Sequence, residues 1–177
     1  MTSSLSIPEN LSFEEAIALT QDLLSEMEQG QISEAETESL ITDLVKTQNG
    51  ARGFFVTYLT DSRPLADRPS PLVFRALESA PDTVPELLAK NVAMSSAMIV
   101  YHQRNQDEDT ARDAAKVRSR ATTLINNVNI PTLAKILQEL YQSIITGEGN
   151  YQEFLERFGY DRQQLEAMAQ ALQPLLD

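Results

Sequence analysis

The chain has one histidine and no cysteine among its 177 residues. That excludes thiolate metal sites, thiol nucleophiles and disulfide frameworks, together with most multi-histidine sites. The single His102 follows Tyr101, and Arg104, Arg112, Lys116, Arg118 and Arg120 come soon after it. An imidazole beside several fixed cations could take an anionic small molecule as ligand or substrate. Arg112, Lys116 and Arg120 recur at i, i+4 and i+8, a spacing that stacks them on one helical stripe. Asp109 and Asp113 lie within a turn of that stripe, so the plainer expectation is a surface helix laced with ion pairs. The Asp107–Glu108–Asp109…Asp113 group lacks the glycine and terminal glutamate spacing of an EF-hand loop. Dinucleotide, P-loop, nucleophile-elbow and zinc-protease motifs are absent from the sequence, as is the E-x-x-H spacing of di-iron bundles. No catalytic residue, metal or cofactor is therefore assigned; the chain reads as a non-enzymatic interaction protein, with a small-molecule binder or enzyme taking an anionic ligand near His102 and the neighbouring arginines as the alternative.

Charge gives the stronger functional signal. Residues 1–45 hold ten acidic side chains and no Lys or Arg, and Lys46 is the first base. The net charge is −12, of which the rest of the chain carries only −2. Phosphate backbones and anionic lipids are repelled by such a chain, which argues against nucleic acid and membrane surfaces. A protein with a basic surface would be attracted, and complementary charge speeds encounter and fixes orientation. Glu34, Glu38 and Asp43 are the candidate partner-binding residues. The basic surface would belong to a different protein or to the Arg112/Lys116/Arg120 stripe of a second copy. The uncharged, apolar-leaning run Asn91 to Gln103 spans roughly 20 Å as a helix, short of a bilayer core of roughly 30 Å. The opening MTSSLSIPENLSFEEA has neither the basic nor the apolar region of a signal peptide, so the expected location is the cytoplasm.

These residues must be positioned by helices. Apolar side chains recur with a 3.6-residue period along most of the sequence. Ser12 with Glu15, and Ser33 with Glu36, read as capping boxes. Asn150 with Glu153 reads as a similar pair, and Asp161 as the cap of the last helix. Gly30, Asn49-Gly50, Gly147 and Gly159 read as stops. Gly53 to Leu59 has the aromatic and β-branched content of a strand. It has no neighbour to pair with, so a buried helix is expected. The run Leu133, Ile136, Leu137, Leu140, Tyr141, Ile144 and Ile145 is expected to face inward. The overall expectation is an all-α, compact bundle of about nine helices in a single domain, 1–177. Within it, 1–11 would be flexible, 12–48 an acidic antiparallel helical hairpin and 61–71 a Pro-rich loop. A buried central helix would lie near 83–103.

The stretches GARGFFVTYLTD, KNVAMSSAM and YQEFLERFGYD resemble a family of uncharacterised helical proteins from cyanobacteria. The resemblance spans residues 30–160 and contains no motif of known chemistry. It implies a cytoplasmic protein with no assigned activity, and no site residue is carried over from it.

Overall fold

The computed structural model describes residues 3–176. Among these residues there are nine α-helices and no strand, as the periodicity predicts. They are α1 (Phe13–Glu28), α2 (Glu34–Val45), α3 (Gln48–Thr60), α4 (Pro71–Glu78) and α5 (Val84–Arg104), followed by α6 (Glu108–Asn127), α7 (Leu133–Thr146), α8 (Gln152–Phe158) and α9 (Arg162–Leu172). The Pro-rich segment between α3 and α4 holds one 3-10 turn, Pro64–Ala66. The chain divides into two compact units. The first runs up to Leu87 and includes Asn127–Ile130. The second comprises Leu88–Asn126 and the chain from Pro131 onward.

In the first unit both expected capping boxes form. Ser12 accepts from the Glu15 amide at 3.1 Å and Ser33 from the Glu36 amide at 3.2 Å, each with the reciprocal glutamate bond. α1 and α2 are joined by a short loop, and α1 packs most extensively on α3. That closeness depends on Gly53. A Cβ there would collide with the Ala16 Cβ and stand 2.9 Å from the Phe13 carbonyl. The ambiguous run is helical, as expected: Phe54, Phe55, Tyr58 and Leu59 are all buried in α3, and Phe54 stacks on Tyr58 at 5.0 Å.

The expected break at Asn49-Gly50 is corrected. α3 already begins at Gln48, capped by Thr47, whose hydroxyl accepts from the Gly50 amide at 3.1 Å. Gly50 is needed for a close approach, since a Cβ there would meet the Leu44 carbonyl oxygen. Residues 3–11 precede α1 without regular structure. The Ser3 hydroxyl donates to Glu26 at 2.6 Å and its amide to Glu36 at 3.3 Å, while Leu11 is buried.

In the second unit, the α5 residues Leu88, Ala89, Val92, Ala93 and Ala97 are fully buried. Ser95 and Ser96 are buried with them, and their hydroxyls donate to carbonyls one turn back. Small side chains on several sides let neighbouring helices come close. The burial ends at Ala97, and Met98 and Tyr101 are exposed. Leu124, Leu137, Leu140 and Met168, on α6, α7 and α9, are buried as well.

Two local expectations fail here. α8 starts after Tyr151, with no side-chain cap from Asn150. The Tyr151 amide donates to the Ser143 hydroxyl at 3.1 Å instead. Ile145 does not face inward but is 57% exposed, because adjacent positions sit about 100° apart and Ile144 takes the buried side.

Candidate functional site

The acids of α1 and α2 are not all unmatched. Arg75, reaching from α4, grips Glu38 with two hydrogen bonds, at 3.2 and 3.0 Å. The guanidinium holds the Glu38 carboxyl below its ordinary pKa, and its own pKa is raised, first by Glu38 and further by the fields of Glu34 and Glu78. Arg63 pairs with Glu28 at 3.2 Å and with Asp61 at 3.0 Å. Asp43 is paired one turn on with Lys46 at 2.9 Å. Arg52 stacks its guanidinium over the Phe13 ring at 4.8 Å, a cation–π contact that ties α3 to α1.

Of the three sequence-predicted partner residues, then, Glu38 and Asp43 are engaged within the chain. Glu34 is exposed at the first position of α2. Glu9, Glu14, Glu15 and Asp22 are exposed as well. Among the described residues, no lysine or arginine lies within ion-pair distance of these five acids.

The residues of the anionic-ligand reading lie in different settings. His102 is half-buried, edge-on to the Tyr101 ring at 5.3 Å. Arg104 is committed to the start of α9. It donates to both Asp161 carboxylate oxygens, with the Nη2–Oδ1 bond at 2.9 Å, and Nη2 also donates to Gln163 at 2.7 Å. Asp161 caps α9 through the Gln164 amide at 3.0 Å. The Arg104 bond, followed by that amide, lowers its pKa to about 2. Arg112 pairs with Asp109 at the surface, and Lys116 is exposed. Arg118 borders a shallow depression with Thr122, Gln170 and Pro174.

Arg120 is only 2% exposed, which corrects the expected stripe. Four residues turn an α-helix by about 400°, so the i+8 position has drifted about 80° from the first. That drift carries Arg120 from the solvent side into the interior. Among the described residues, no group of three or more His, Asp or Glu side chains is placed to hold a metal ion.

Sequence reasoning did not find a groove in the second unit. One part, about 380 Å3, is lined by Ile144, Leu155, Tyr160 and Leu165, with Glu156 at its edge. The adjoining part, about 530 Å3, shares Ile144 and Leu165 and adds Tyr141, Ile145 and Ala169. Arg162 and Glu166 border it, paired at 3.1 Å. Phe158 is 49% exposed and stacks on Tyr160 at 5.8 Å. The apolar pair Ile144-Ile145 gave no signal of it, since consecutive apolar pairs such as Phe54-Phe55 are buried together elsewhere in the chain.

Among the described residues, no helix is long and apolar enough to cross a membrane. A family profile described as uncharacterised conserved protein UCP020893 matches residues 12–175. Neither the curated proteins nor the solved structures contain a significant match to the chain.

Proposed function

The chain belongs to this uncharacterised conserved family, and we propose that it is a non-enzymatic, cytoplasmic interaction protein whose α1–α2 region receives a protein with a basic surface. The reading is supported by the charge left over once the intrachain pairs are counted. Glu28, Glu38 and Asp43 have basic partners, while Glu9, Glu14, Glu15, Asp22 and Glu34 are exposed without one. Like charges held on two neighbouring helices repel one another, and a basic partner relieves that repulsion. The same field draws the partner in before contact, so its main effect is on the rate of encounter.

The test compares the native chain with a Glu14→Lys, Asp22→Lys, Glu34→Lys variant. These three side chains make no capping-box bond and no intrachain ion pair. Cross-linked complexes from the native host are identified by mass spectrometry at about 0.1 M and about 1 M salt, where the Debye length falls from about 10 Å to about 3 Å. A basic protein captured by the native chain at low salt, and lost with the variant or at high salt, supports the reading. Identical capture by both chains shows that the acids only keep the surface solvated.

A further inference from the structure

We propose that two copies of this chain associate about a two-fold axis through the groove bordered by α7, α8 and α9. This goes beyond the basic-partner reading and does not depend on it.

Three observations lead there. First, exposed apolar side chains lie beside a recess lined by Ile144, Leu155 and Leu165 as well as by Ser143, Gln152 and Gln170. Ile145, 57% exposed, lies on the groove wall, and Phe158, 49% exposed, stacks on Tyr160, which lines the same groove. A two-fold interface applies one patch to its own copy, so that patch must carry both the projections and the recess that receives them. An apolar patch of this kind, rimmed by polar side chains, is typical of a protein contact surface.

Second, the rim carries both signs: Glu156 and Glu166 against Arg162. A rim of one sign would repel its rotated copy. A mixed rim can bring opposite charges together, and Arg162, 93% exposed, is free to turn from Glu166 toward a carboxylate of the mate.

Third, net charge selects this unit over the other. The first unit holds fifteen acids and five bases, a net of −10, and the second holds eleven acids and nine bases, a net of −2. Two copies meeting through the first unit would press like charges together, whereas the second unit imposes little such cost. The chemistry of the groove therefore fits a second copy of this chain, anchored by Ile145 and Phe158.

The experiment is sedimentation equilibrium of the full chain across a micromolar concentration series, at about 0.1 M and about 1 M salt. The native chain is expected at twice its 19.7 kDa mass at both salts, because apolar contact is not screened. Ile145→Glu and Phe158→Glu are each expected to return the mass to 19.7 kDa with unchanged helical circular dichroism. Both side chains are exposed, so neither change alters the core. Val56→Glu, at a 42% exposed position of α3, is the control and should leave the dimer intact. A native chain that stays monomeric throughout overturns the proposal, as does a dimer that survives both groove substitutions. A dimer that dissolves at high salt yet tolerates both substitutions overturns it in favour of an acid-to-base contact between copies.

Discussion

The two units use their charged residues in opposite ways. In the first, two arginines reach far along the chain to hold elements together, Arg75 to Glu38 and Arg63 to Glu28, beside the local pairs Arg63–Asp61 and Lys46–Asp43. That unit holds fifteen acids against five bases, so acids outnumber bases three to one. In the second, pairing is mostly within one turn, as in Arg112–Asp109, Lys135–Glu139 and Arg162–Glu166. The charges there nearly cancel, and Arg104–Asp161 is the long-range exception. Local ion pairs add little stability, so the second unit's neutrality matters less for holding the fold than for what can approach it. One unit therefore carries a surplus of acid, and the other presents a nearly neutral surface with a groove.

If the contrast is confined to the surface, both cores should be equally intolerant of truncation. Phe54→Ala in the first unit is expected to cost about 3–5 kcal/mol, and Leu124→Ala in the second about 2–5 kcal/mol. Both side chains are fully buried. Denaturant melts measure this, and a loss below about 1 kcal/mol at either position would mean that the corresponding unit lacks a packed core.

A smaller effect is expected where α1 crosses α3. Gly53→Ala places a methyl group against Ala16 and the Phe13 carbonyl, and neither backbone can yield easily. Such overpacking costs about 1–3 kcal/mol. A neutral result in the same melts would show that the two helices separate without penalty.

The smallest effect sharpens the exception in the second unit. The Asp161 carboxyl should titrate near pH 2 in the folded chain, against an ordinary 3.8. Its folded pKa is depressed, so its stabilising contribution is complete above about pH 4 and is lost as pH falls from there through 2. Arg104→Gln should move the midpoint upward, toward the ordinary value. Carbon-13 carboxyl shifts report it, and an unchanged midpoint would mean that the Gln164 amide alone sets the value.

What was legible in the sequence was local. The boxes at Ser12, Ser33 and Asp161 form because each cap and its partner are three residues apart and need nothing else. Asn150 does not cap, because α8 starts one residue later than the pair implies and Tyr151 takes the N-cap position. Asn49-Gly50 looked like a turn because glycine usually marks one. Here it serves the close packing against the Leu44 carbonyl. The Glu38–Arg75 grip joins residues 37 apart, and no spacing rule anticipates it. The same holds for Arg120, whose burial reflects both helical drift and the neighbours that surround it. The excess of acid at the start of the chain was plain from composition. Which acids stay unmatched became visible only when the later arginines were in place.

The central claim is that those unmatched acids exist to draw in a basic protein. It is tested most directly by the association rate constant of the captured partner, measured by stopped flow as salt rises from about 0.05 to about 0.5 M. For the native chain the rate should fall steeply, because electrostatic steering is screened. The Glu14→Lys, Asp22→Lys, Glu34→Lys chain should be slower at low salt and nearly insensitive to the change. Equal rates with the same weak salt dependence for both chains would contradict the account.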